Sequence, residues 1–481
     1  MACSYRTACT GILAVAVSAL ALAFTANAAA QTKSAQIDTL LHQLSRRGQF
    51  SGSILVAEHG DPIYQNGFGY ADIRNGTAFT PNTPCYLASL SKAFTAMAVM
   101  ILTEEGKLSY RDPLSKYFPE FPSYAKKVTI RTLLNHTSGI PDYVGLGMER
   151  PGLTNHDVLK ELVHQDSLDF PPGQKFQYSN SGYVLLALII EKVTGERYGT
   201  FMKDHIFEPL GMHETFVRDE SHPVPQSAAR GYNRFGDDED YNLLTYGEGG
   251  IYSSVRDMFK WDQALYTSQL LPQSTLQEAF TGAKLLDGSV SAYGFGWALG
   301  EYNGEKIISH AGRYGGFNTY IKRFPEARNT IIFLTNHDYK NMSGIGNAII
   351  SILHDKPYTL PRLSVADMMY RTFKASDFSS AVQQYHVLKT DRDTTYDFSE
   401  SELNELGYEF LGRKMYPEAI VLLKMNAEEF TSSSNVYDGL GEAYMDNGNN
   451  DLAIKNYRKS LQLDPGNFNA VMRLKKLGAS Q

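Results

Sequence analysis

The chain has 481 residues, enough for two or more domains. Hydrophobic residues make up 43% and charged residues 20%, the balance of an ordinary globular protein. A net charge of −7 leaves no basic excess and argues against nucleic acid or anionic lipid as a partner.

In residues 1–28 Arg6 is the sole charge, and Gly11 to Phe24 is almost continuously apolar. Ala26-Asn27-Ala28 then supplies small residues, so the segment reads as a secretory signal peptide cleaved after Ala28. An uncleaved anchor is the other reading, but the apolar run is shorter than a span of about 20 residues. The expectation is an exported protein, periplasmic or secreted, with no membrane association after cleavage. Cys3 and Cys9 leave with the signal, and Cys85 remains as a buried structural thiol without a disulfide partner.

Ser34 to Leu44 has the spacing of an amphipathic helix, with Ile37, Leu40, Leu41 and Leu44 on one side. Strands follow at Ser53–Glu58 and Pro62–Gly69, joined at Gly60-Asp61. Next comes Ser89-Leu90-Ser91-Lys92. The apolar positions Ala93, Phe94, Met97, Ala98, Ile101 and Leu102 continue it as a buried helix, with Gly106 as the stop. A serine at a helix start with a lysine at i+3 puts both side chains on one face, a layout that makes a hydroxyl nucleophilic. Ser123-x-x-Lys126 repeats the pattern in a Pro-rich stretch with no helical run after it. At this point a capping serine beside a solvated lysine fits Ser89 and Lys92 equally well.

Tyr178-Ser179-Asn180 lies between the turn Pro171-Pro172-Gly173 and an apolar helix over Tyr183–Val193. A tyrosine there could share a proton with Lys92, and Asn180 could donate to a substrate carbonyl. The Tyr-x-Asn pattern alone is uninformative, since it recurs at Tyr64 and Tyr339. Strands return at Gly296–Glu301, Lys306–Ala311, Phe317–Phe324 and Thr330–Thr335, with a hairpin turn at Asn303-Gly304 and a helix over Met342–Leu353. His310-Ala311-Gly312 ends one of these strands, where a glycine beside a cleft lets substrate backbone approach closely. Both chain ends of this region thus feed one antiparallel sheet, with the middle helices as a second lobe and a cleft between them.

Asp355 to Pro361 reads as a linker. Beyond it, Leu403, Leu406, Gly407, Phe410, Ala419 and Leu423 recur 34 residues on as Tyr437, Leu440, Gly441, Tyr444, Ala453 and Tyr457. That is the tetratricopeptide period. Phe378–Leu388 looks like half of a degenerate earlier copy. The repeats could bind a protein or peptide partner, self-associate, or pack over the cleft.

The order Ser89-x-x-Lys92, Tyr178-x-Asn180, His310-x-Gly312 resembles the serine β-lactamase and DD-peptidase superfamily, in its class C and esterase branch. The segments Thr129–Gly139, Gly249–Ser254 and Tyr293–Trp297 resemble the same branch. The resemblance implies an α/β fold of α+β type: an antiparallel sheet flanked by helices with an all-helical lobe, followed here by an all-α repeat domain. The expected domains are a signal peptide over 1–28, a hydrolase over 29–356, a linker over 357–362 and repeats over 363–481. It also implies an acyl-enzyme on Ser89, proton transfer by Lys92 and Tyr178, and an oxyanion site from the backbone N–H groups of Ser89 and Arg313. Asn180, His310, Gly312 and Arg313 would bind substrate, and no metal or cofactor is expected. Many members carry lysine where this chain has His310, a residue mostly neutral at pH 7. The expected substrate is therefore a small ester or a D-amino-acid-containing peptide or amide. A class C-like β-lactamase or DD-carboxypeptidase is the alternative, and a catalytically retired binding protein is the other.

Overall fold

A computed structural model describes residues 31–479, apart from 220–221, 339–341 and 392–393. The signal-peptide expectation lies outside the described residues. Helix α1 (Lys33–Arg46) buries the expected stripe Ile37, Leu40, Leu41 and Leu44, and the Thr32 hydroxyl caps its start. Strands β1 (Gly52–Glu58) and β2 (Asp61–Phe68) follow. After the middle lobe come β3 (Ala298–Tyr302), β4 (Glu305–Tyr314), β5 (Phe317–Phe324) and β6 (Asn329–Thr335). The six strands form one antiparallel sheet in the order β2-β1-β6-β5-β4-β3. The strand nearest the N-terminus therefore pairs with the last one, which closes the domain around both of its ends.

The two-residue period of β1 shows how the sheet is sandwiched. Ile54 and Val56 join the core formed with α1 and the later helix over Met342–Leu353, while Leu55 and Ala57 face the helical lobe. Two long helices dominate that lobe, α2 (Ser91–Glu104) and α3 (Asn180–Thr194). Every residue from Ser91 to Leu102 and from Ser181 to Ile190 is buried. The sequence pattern suggested one wide apolar face for α2, but the helix is buried all round and so runs through the core. The middle region also holds a small sheet not expected from the sequence, made by Cys85–Tyr86, Phe216–Val217 and Ile251–Ser253. Cys85 is fully buried within it.

Residues 357–362 carry no regular structure. Helices α4 (Met342–Leu353), α5 (Val365–Ala375) and α6 (Phe378–Thr390) precede the repeats proper. The repeats are two helical pairs, α7 (Glu400–Gly412) with α8 (Tyr416–Glu429) and α9 (Ser434–Asp446) with α10 (Asn450–Leu463); α11 (Phe468–Lys476) packs on the end. The 34-residue period has a direct steric cause. A Cβ on Gly407 would lie 2.6 Å from Leu423, and one on Gly441 would lie 2.9 Å from Tyr457. Each glycine thus admits the large side chain of its partner helix. The half copy expected at Phe378–Leu388 is a whole helical pair, α5 with α6. Its first helix escaped the period because it packs through Val365, Ala366, Met368, Met369 and Tyr370, with no glycine to match Gly407 and Gly441 of the repeats.

Candidate active site

Ser89 sits in a short 3-10 turn, Ala88–Leu90, that leads directly into α2. Ala88 is left-handed, with φ of 49°, an uncommon conformation for a residue with a side chain. Lys92 lies on the first turn of α2 and is completely buried. Its Nζ donates to Ser89 Oγ, to Asn180 Oδ1 and to the backbone carbonyl of Glu248, each at 2.9 Å. The three protons of the ammonium group therefore have three acceptors. Burial lowers its pKa to about 7, against the opposing pull of Glu248 and Asp142. This geometry removes the capping alternative for the pair, because the lysine is neither solvated nor distant from the hydroxyl.

Tyr178 precedes α3, and its ring centroid lies 4.8 Å from Lys92 Nζ. Burial raises its phenol above the ordinary tyrosine range, with Ser89 pulling the other way. The hydroxyl is buried and makes no hydrogen bond of ordinary geometry. Tyr178 is thus held protonated, and Lys92 is the group able to change charge near neutral pH.

Asn180 is the first residue of α3 rather than part of the loop before it. Oδ1 of its side-chain amide accepts from Lys92, and Nδ2 donates to Asp142 Oδ2 at 3.2 Å, which uses one of its two N–H bonds. The expected donation to a substrate carbonyl falls to the second N–H of Nδ2. Asp142 also accepts the N–H groups of Asn180 at 2.7 Å and Ser181 at 3.4 Å.

His310 lies inside β4, which runs on to Tyr314 instead of ending at Ala311. The strand continues because β5 pairs with it as far as Tyr314, although β3 pairs with it only up to Ser309. His310 is buried, with Nδ1 2.7 Å from the Ala311 carbonyl and Nε2 2.8 Å from the Tyr293 hydroxyl. A carbonyl can only accept, so Nδ1 carries the proton and Nε2 accepts from Tyr293. Burial, then the Lys92 charge, lower its pKa to about 3. The ring is neutral at any ordinary pH.

Gly312 brings β4 against the Ser89 turn. A Cβ there would fall 2.2 Å from the Leu87 carbonyl oxygen and 3.0 Å from the Ser89 nitrogen. The Thr319 hydroxyl, opposite Gly312 on β5, donates to the same Leu87 oxygen at 2.8 Å and ties the turn to the sheet. Strand alternation puts the Arg313 side chain on the face opposite His310 and Gly312. It is mostly exposed and paired with Asp338 at 2.5 Å. Its guanidinium does not stand beside Ser89 as a replacement for the missing lysine charge.

Four neighbours had no role in the sequence reading: Asp142, Glu248, His136 and Tyr293. His136 accepts the Ser179 N–H on Nδ1 at 3.2 Å, accepts the Gln177 N–H on its carbonyl at 2.9 Å, and packs its ring 4.3 Å from that of Tyr178. Glu248 is buried, takes Lys92 on its carbonyl, and accepts from the Tyr143 hydroxyl at 3.1 Å. Their signal was present but unassigned. His136 and Tyr293 lie in segments already singled out, and Glu248 and Asp142 border two of them. Among the described residues no three His, Cys, Asp or Glu side chains converge as a metal site, and no helix is long and apolar enough to cross a membrane.

The family profile described as beta-lactamase matches residues 37–355, and that described as tetratricopeptide repeat matches residues 434–467. A penicillin-binding protein of Bacillus subtilis is 37% identical over 385 residues, covering 74% of this chain and 83% of the relative. Among solved structures, an octameric penicillin-binding protein homologue from Pyrococcus abyssi superposes with a TM-score of 0.61 at 28% identity, over 71% of this chain and 81% of that one. A D-amino acid amidase from Ochrobactrum anthropi gives a TM-score of 0.57 at 26% identity, over 66% and 99%.

Proposed function

The chain belongs to the beta-lactamase family of serine hydrolases, with tetratricopeptide repeats at its C-terminal end, and from that premise we propose that it is an exported hydrolase of esters or of D-amino-acid-containing peptides and amides. The observation that carries the catalytic part is the fully buried Lys92 bonded to Ser89 Oγ. In the reaction, neutral Lys92 accepts the Ser89 proton as Oγ bonds to the substrate carbonyl carbon. The carbonyl oxygen takes the negative charge against the backbone N–H groups of Ser89 and Arg313. Protonated Tyr178 donates to the leaving oxygen or nitrogen as its bond to carbon breaks, and Lys92 returns the proton to the tyrosine. Water then attacks the acyl carbon and loses a proton to neutral Lys92 by relay through Tyr178, and Lys92 passes that proton to Ser89 Oγ as the acyl–oxygen bond breaks. Gly312 serves by admitting the strand to the turn, and His310 by shaping the wall of the site.

The substrate preference rests on charge. A β-lactam or a peptide ending in a free carboxylate needs a cation beside the site. Here His310 is neutral, and Arg313 is turned away and paired. An ester or a D-aminoacyl amide makes no such demand, and one structural relative is a D-amino acid amidase. The penicillin-binding relative supports the DD-carboxypeptidase alternative. The division into a hydrolase over 29–356, a connection over 357–362 and repeats over 363–481 belongs to the same reading. The test is turnover of p-nitrophenyl esters, D-aminoacyl amides and nitrocefin by the full chain and its Ser89→Ala variant. Hydrolysis of the first two that disappears in the variant is the expected result. Efficient hydrolysis of nitrocefin alone reverses the preference, and full activity in Ser89→Ala refutes the mechanism.

A further inference from the structure

Helix α3 begins without a cap of its own. The residue before it, Ser179, sends its hydroxyl to the Ile140 carbonyl, so the first N–H groups of the helix go unserved by it. Asp142, from a separate segment, accepts two of them on Oδ1. Its Oδ2 meets the Asn180 Nδ2. Burial pushes the Asp142 carboxyl up, while these N–H groups and the Lys92 charge pull it down.

We propose that Asp142 is a positioning residue that locks the Asn180 amide with its oxygen toward Lys92, and so reserves the lysine lone pair for Ser89. The proposal rests on the reading of Lys92 as the base. A carboxylate only accepts, so the amide NH2 must face Asp142 and the amide oxygen must face Lys92. Neutral Lys92 has two N–H bonds and one lone pair. The Asn180 oxygen and the Glu248 carbonyl, both pure acceptors, claim the two N–H bonds. Ser89 Oγ can donate or accept, and it is left with the lone pair. A flipped amide would set its oxygen against the carboxylate and its NH2 against the lysine. That NH2 would occupy the lone pair, and Lys92 would then donate to Ser89 rather than accept from it.

The variant Asp142→Asn separates this lock from the helix cap. Its remaining oxygen still accepts the N–H groups of α3, but an NH2 replaces the second acceptor and favours the flipped amide. The readout is the rate at which a fluorophosphonate labels Ser89 in the full chain, followed across neutral pH, with a thermal melt alongside. We expect the limiting alkaline rate to fall by at least about tenfold, with the melting midpoint close to wild type. Adding Asn180→Asp should restore part of that rate, because the introduced carboxylate again faces Lys92 with oxygen. Its charge should also move the midpoint of the pH profile upward. An unchanged limiting rate in Asp142→Asn, or no recovery in the double variant, overturns the proposal. Absence of labelling in the wild-type protein overturns the serine-hydrolase reading itself.

Discussion

Lys92 is the residue on which the chemistry turns. A lysine in water holds its proton to a pKa near 10.4 and cannot act as a base at neutral pH. Burial on α2 removes the hydration that stabilises the ammonium form and brings the pKa to about 7. The sign follows directly: above that pH the amine is neutral and able to accept the Ser89 proton, and below it the site is switched off. The rate of acylation should therefore rise with pH through a midpoint near 7 and then level off, as measured by the pre-steady-state burst or by probe labelling. His310 contributes no step in this range, since it is already neutral. Lys92→Arg should lower the limiting rate at least about a hundredfold, because a guanidinium stays protonated.

Strand β4 and the Ser89 turn depend on one missing side chain. Gly312→Ala would drive a methyl group into the Leu87 carbonyl and toward the Ser89 nitrogen, so the strand must retreat. A shift of that order misplaces the oxyanion donors and should cost roughly a hundredfold in kcat/KM. Circular dichroism should report a fold that is otherwise intact. The contact of Gly312 with the backbone of Leu87 and Ser89 and the all-round burial of α2 were not legible in the sequence, whereas the α2 helix itself, the individual strands and the repeat period were. Each of these is written in local spacing. The hydrogen bonds of Asn180 were not, because Asp142 is 38 residues distant and joins it only through tertiary packing. Glu248 is remote for the same reason, and its bond to Lys92 uses a backbone carbonyl that any residue carries. The length of β4 was underestimated because pairing with β5, not composition, carries it to Tyr314.

A buried cation, Arg234, stands where the hydrolase region meets the repeats. Arg234, on a loop of the hydrolase region, donates to Asp367 at 2.9 Å and to the Ser364 hydroxyl at 2.8 Å, and it also bonds Glu405. Its side chain is only 9% exposed, so the carboxylates around it depend on it for charge balance. The same loop returns through Asp237, which accepts from Tyr370 and Arg413, to Glu239, whose carbonyl accepts the Gly316 N–H at the β4–β5 turn. The repeats thus brace a loop that abuts the strand lining the site. Arg234→Ala should destabilise this junction by about 3 kcal/mol, seen as a repeat transition that separates from the main one in calorimetry. A single unshifted transition would show that the contact contributes nothing. The most direct measurement for the molecule as a whole is the site and pH dependence of covalent labelling by a fluorophosphonate, read by peptide mass. One adduct on Ser89, absent from Ser89→Ala and forming with a midpoint near pH 7, is the predicted result. An adduct elsewhere, or one that persists in Ser89→Ala, would contradict it.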